Sequence, residues 1–187
     1  MRALPVLLLF LAQPFWETKP PEKWTDREID TVLHASPWAE IVGPTPEILV
    51  YLATAAPIEA AEGELRLRTK HPMPEPDPDY NNYLSEHREE TLVVAIPYRQ
   101  PVRFGTAEEQ RRMEEDCEMT ISRKSYKLVG HFPPTGDDPV LRLVFPREVK
   151  RTDKAVTFRL YLPGMAFPER EVEFRIKDLL YRGKLEM

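Results

Sequence analysis

Cysteine occurs once in the 187 residues, at Cys117, so an intramolecular disulfide framework and an all-cysteine zinc site are both excluded. Glycine is nearly as scarce, with 7 residues that are widely spaced. No P-loop, G-x-G-x-x-G fingerprint or G-x-S-x-G elbow can be assembled from them. A membrane-spanning run is missing as well. The most apolar stretch, Leu4 to Ala12, has nine residues broken only by Pro5, well short of the roughly 20 that a transmembrane helix needs. An excess of positive charge is also lacking. There are 26 basic against 31 acidic residues, a net charge of −5, which weighs against nucleic-acid binding. Sustained heptads, a collagen period and solenoid repeats are absent.

What is abundant is proline, 20 of 187, about twice the usual share. Rigid turns and extended connections should therefore outnumber flexible ones. Apolar residues make up 42% of the chain, and runs such as ETLVVAIPY, PVLRLVFP and AVTFRLYLP can supply a core, so the chain folds. The N-terminal MRALPVLLLFLAQPFW combines one early basic residue with an apolar stretch of signal-core length. Residues 1–16 are read as a signal segment and 17–187 as a single domain. The protein is expected to be exported, periplasmic or extracellular.

The most explicit local structure is WTDREIDTVLHASPW. Thr25 and Glu28 have the spacing of a reciprocal capping box, and Trp24 with Ile29 that of a hydrophobic staple. Ile29, Val32 and Leu33 form one stripe, and Ser36-Pro37 ends the helix. Residues 47–55 read as a strand, and Pro57 opens a helix carrying Ile58, Ala61 and Leu65 on one face. Prolines 72, 74, 76 and 78 impose an extended path on 70–79. A short helix over 79–88 and a strand over 91–98 follow. Residues 106–124 are predicted to be one helix, opened by a Thr106/Glu109 capping box, with Met113, Cys117 and Ile121 at four-residue spacing. Beyond 126 the pattern alternates with period 2 over 139–146, 155–163 and 171–177, as in antiparallel strands with one buried and one wet face. The fold class expected is α+β, an antiparallel sheet with helices packed mainly on one face.

Chemistry is harder to find. His34, His71, His87 and His131 are scattered and lack the spacing of a helix-borne zinc site. Cys117, on its predicted apolar stripe, should be a buried thiol with a raised pKa rather than a nucleophile. No cofactor or metal site is expected. Two groups stand out as a possible partner surface. Trp24 and Trp38 flank the first helix, where they either face a partner or staple that helix to the sheet. Arg147, Lys150 and Arg151, with Lys154, form a basic cluster that either contacts an anionic envelope surface or merely discourages edge pairing.

The segment KPPEKWTDREIDTVLHASPWAE fits a K-P-x-E-x-W-[ST]-x-x-[DE] opening closed by S-P-W-A, and the chain finishes with FRIKDLLYRGKLEM after FPREVK. These two ends, about a third of the chain, resemble a family of exported bacterial proteins to which no activity is attached. The resemblance implies export and one α+β domain, and it transfers no functional residue. The function expected is a non-enzymatic binding or structural module of the cell envelope, with another envelope protein as partner. The alternatives are a small enzyme, or a carrier of an apolar ligand, whose site is assembled without a sequence motif.

Overall fold

The computed structural model describes residues 13–43, 45–69, 76–98 and 104–187. Most of the expected leader (1–12) and most of the proline-rich stretch (70–75), including His71, lie outside these residues. Two short turns come first: α1 (Phe15–Thr18) and a 3-10 turn at Pro21–Lys23. Helix α2 (Asp26–Ala35) begins where the sequence places it. The Glu28 amide donates to Thr25 Oγ1 at 3.2 Å, and the Thr25 amide donates to Glu28 Oε2 at 2.6 Å. Trp24 and Ile29 are both buried beside it, with Val32 inside and Leu33 only half-buried. Helix α3 (Ala56–Arg68) carries Pro57 in its first turn and buries Ile58 and Ala61. Helix α4 (Pro78–His87) starts one residue before the expected span. Pro78 occupies its first turn instead of extended chain, and the Asp77 carboxylate caps it by accepting from the Asp79 amide. A proline whose own amide needs no partner suits that place.

The predicted long helix over 106–124 is cut in two. Helix α5 ends at Asp116 (Ala107–Asp116), and the chain continues as a hairpin of β4 (Glu118–Ile121) and β5 (Lys124–Lys127). Ser122, at φ +58°, takes the first position of its two-residue turn. Met113, Cys117 and Ile121 are all buried, so their spacing marks a real inward face. That face belongs first to a helix and then to a strand, a change that four-residue spacing cannot reveal. β-branched Thr120 and Ile121 favour the strand.

Two main antiparallel sheets and one small two-stranded one form among the described residues instead of the single sheet expected, and helices pack mainly on one face, as the α+β class implies. The first has the order β1-β2-β3-β7-β6: β1 (Ala39–Val42), β2 (Ile48–Leu52), β3 (Thr91–Pro97), β7 (Val140–Pro146) and β6 (Gly130–Phe132). The second has the order β5-β4-β8-β9, with β8 (Ala155–Tyr161) and β9 (Glu169–Arg175). A small hairpin of β10 (Leu180–Tyr181) and β11 (Lys184–Leu185) closes the chain.

Phe145 on β7 meets Phe158 on β8 at 5.2 Å between ring centres, and Phe158 meets Phe174 on β9 at 6.1 Å. The two sheets therefore face each other across an aromatic layer. Each such ring contributes roughly 1.5–3 kcal/mol by burial. The opposite face of the first sheet carries Tyr51, Arg142 and Phe132, covered by α3 and α4. Tyr51 donates to Glu62 of α3 at 3.3 Å, and Tyr80 of α4 lies against Phe132 and under the Arg142 guanidinium. Helix α2 runs against α3. Because β3 and β7 are covered on both sides, the wet face expected for 139–146 is absent: Arg142 and Val144 are buried along with Leu141, Leu143 and Phe145. Strand β9 does show the expected alternation, with Val172 and Phe174 inside and Glu171, Glu173 and Arg175 out.

Candidate functional site

The residues singled out from the sequence separate into two groups. Trp24 is 2% exposed and Trp38 0%. The Trp24 indole N–H donates to the Lys19 carbonyl at 3.0 Å, and that of Trp38 to the Glu186 carbonyl at 2.9 Å. The rings are used as staples, and neither offers a face to a partner. Arg147 is likewise occupied: Nε donates to the Thr91 carbonyl at 3.0 Å and Nη2 to the Met187 carbonyl oxygen at 2.8 Å. Burial holds its pKa below the ordinary arginine value. It fastens the chain's last residues to β3.

Lys150 and Arg151 remain exposed. They sit in the connection from β7 to β8, shaped by a turn in which the Lys150 amide donates to the Asp153 carboxylate at 2.7 Å. Two hairpins meet this connection. The β4–β5 tip brings Arg123 and Lys124, which line a 360 Å³ cleft together with Tyr126, Lys150, Glu148 and Asp153. The β10–β11 tip is tied on by Arg151, whose Nη1 donates to the Gly183 carbonyl at 3.3 Å. That second turn places Arg182 and Gly183 at φ +50° and +77°, a double left-handed pair that glycine eases. Among the described residues, Arg123, Lys124, Lys150, Arg151 and Lys154 form no ion pair. By contrast, Lys127 and Arg159 nearby are drawn to Glu118 at 3.2 and 3.7 Å, and its carboxyl is held below the usual range by a Ser125 hydrogen bond first and by these cations after it. The end of the molecule thus presents cations outside any ion pair, beside one tyrosine ring and the carboxylates of Glu148 and Asp153. The sequence disclosed Lys150 and Arg151. It could not disclose Arg123 and Lys124, which lay inside a stretch read as helix.

The strongly perturbed groups lie elsewhere. Cys117 caps the end of α5, its Sγ accepting from the Tyr161 amide at 3.3 Å, and burial pushes its thiol up to about 11. Beneath α3 and α4, buried Arg142 grips Asp138 at 2.6 Å, and the same carboxylate accepts from the Asp77 amide at 2.9 Å. Burial raises the Glu62 carboxyl and the Tyr51 hydroxyl that donates to it. These groups answer one another. The histidines stay apart: His34 is beside Asp30, His87 stacks on Tyr83, and His131 lies 3.8 Å from Glu114. Among the described residues, no three His, Cys, Asp or Glu side chains gather closely enough to hold a metal ion, and no helix is long and apolar enough to cross a membrane.

Like Arg142 and Asp138, a further buried charge is not foreseen from the sequence. Arg170, 4% exposed, shares the inward face of β9 with Val172 and Phe174. An arginine in period-2 register with apolar residues was the available sign. Compared with family models, with curated proteins and with solved structures, the chain matches none.

Proposed function

We propose that this protein is an exported, non-enzymatic binding module of the bacterial cell envelope that docks an acidic surface of another envelope protein on its basic end. The carrying observation is the gathering of Arg123, Lys124, Lys150, Arg151 and Lys154, all without ion-pair partners among the described residues, in a chain of net charge −5. Unneutralised charge concentrated on one surface steers an oppositely charged partner and sets its register more than it adds raw affinity. Tyr126 in the same cleft supplies the amphipathic ring that interfaces favour. A binding role also fits the fate of the perturbed groups. Cys117 is enclosed, and Tyr51, Glu62, Asp138 and Arg142 are bonded to each other rather than turned toward an open cleft. The space between sheet and helices, where a carrier would keep an apolar ligand, is filled by Tyr51, Tyr80 and Arg142. Export rests on the Leu4–Ala12 run of the sequence.

The test is site-specific photo-cross-linking in intact bacterial cells, with the reactive residue at Lys150 or, as a control, at exposed Leu67 of α3. Discrete adducts at 150 that vanish in the Arg123→Glu/Lys124→Glu protein and weaken with added salt are expected. Identical adducts from both positions, or none at 150, would overturn the reading.

A further inference from the structure

The guanidinium of Arg170 is enclosed, yet only one of its nitrogens is used. Nη1 donates to the Glu169 carbonyl at 2.9 Å, while Nε and Nη2 are buried and, among the described residues, without a hydrogen-bond partner. No carboxylate among the described residues forms an ion pair with it. Buried arginines are normally paired, because a desolvated charge left alone is costly. The two idle nitrogens are not arbitrary either. Nε–H and the neighbouring Nη2–H lie along one edge of the planar group, the edge that grips two oxygens of a carboxylate or phosphate in parallel.

The wall beside that edge is Gly43, at the end of β1. A Cβ there would stand 2.5 Å from Nε and 2.8 Å from Cδ, so a side chain would collide with the arginine. Gly43 also takes φ +92°, which other residues resist. It is itself exposed, so the idle edge lies directly beneath a surface residue. For a ligand to reach the edge, the Gly43 backbone must move off it.

We infer that Arg170 anchors a binding site for an oxyanion, gripped through Nε and Nη2 and entered at Gly43 between β1 and β9. Two coplanar oxygens bearing negative charge are the required chemistry, carried by a phosphate or by a carboxylate. The site is independent of the basic end. Arg170 pairs with Leu160 and Arg175 with Ala155, so the two ends of β9 are roughly 17 Å apart.

The test follows the Arg170 Nε–H resonance by NMR in the wild-type protein, with thermal unfolding in parallel. Inorganic phosphate and acetate are titrated separately against sodium chloride at matched ionic strength. One oxyanion or both should move the resonance and raise Tm beyond the chloride control. Phosphate alone would identify a phosphate-bearing ligand, and acetate a carboxylate. Arg170→Lys, which keeps the charge but loses the edge, should weaken binding roughly tenfold or more. Gly43→Ala provides a second variant, crowding Nε without touching the charge, and should weaken it too. The inference is overturned if the resonance follows chloride equally, or if Arg170→Lys binds as well as wild type. It is equally overturned if only an ordered water occupies the edge in a crystal grown with the anion.

Discussion

At the scale of single residues, Cys117 shows how position decides chemistry. A thiolate is the reactive form, and burial keeps this thiol protonated, pushing its pKa up to about 11 even though the Tyr161 amide donating to Sγ pulls it the other way. A thiol reagent should label native protein slowly and unfolded protein quickly. Cys117→Ala should cost about 1–2 kcal/mol by denaturant unfolding, below a full leucine truncation because fewer atoms leave the core. Rapid native labelling would restore Cys117 as a candidate nucleophile. The burial of this side chain was legible in the sequence from its company, Met113 and Ile121, although the element carrying it was not. The charged residues were less legible. Arg142 reads as a wet-face residue between Leu141 and Leu143, and only the helices above the sheet make it a buried one. Arg170 fell just outside the strand expected at 171–177.

At the scale of elements, α2 is the piece whose sequence and structure agree most fully, because the cap and the staple that start it lie within six residues of Trp24. Its cap also has an electrostatic side. Lys19 donates to Glu28 at 2.6 Å and the Thr25 amide donates to the same carboxylate, holding the Glu28 pKa down at about 2. A depressed carboxyl contributes stability above its unfolded value near 4.5, and that contribution disappears as pH falls toward 2. Thr25→Ala should cost about 1 kcal/mol at neutral pH. Glu28→Gln should flatten the acid limb of the stability curve between those two values; an unchanged limb would show that the cap carries no such linkage. On the inward stripe, Ile29→Ala should cost about 2–5 kcal/mol because Ile29 is fully buried, and Leu33→Ala less because Leu33 is half-exposed. Helix α5 shows where local reading ends. Its capping box is present, and so are the Arg111–Glu115 and Arg112–Asp116 pairs. What stops it at Asp116 is the pairing of 118–121 with β8, a partner nearly forty residues downstream. Which sheet each alternating strand joins is equally non-local, so two sheets could not be told from one.

At the scale of the whole molecule, the residues next to the apolar N-terminal run belong to the fold. Phe15 meets Trp24 at 5.8 Å, and Trp16 meets Trp38 at 6.0 Å. If the leader is removed on export, the cut should therefore fall before Phe15, near Ala12. Intact-mass measurement of protein from the envelope fraction should show a product starting at about residue 13. A product starting beyond Trp16 would contradict this, and it should unfold at lower denaturant. The same region touches the far end of the sequence. The Glu17 carboxylate accepts from the Arg182 amide at 2.9 and 3.1 Å, and Trp38 is anchored on Glu186. The earliest and latest parts of the domain are thus each other's neighbours. Timing follows from that adjacency. The Trp38 indole cannot complete its hydrogen bond until residue 186 has been made, so this seam closes late, after the contacts that Trp24 makes with its own neighbours. If the chain is exported unfolded, as proposed above, such lateness keeps it fit for passage.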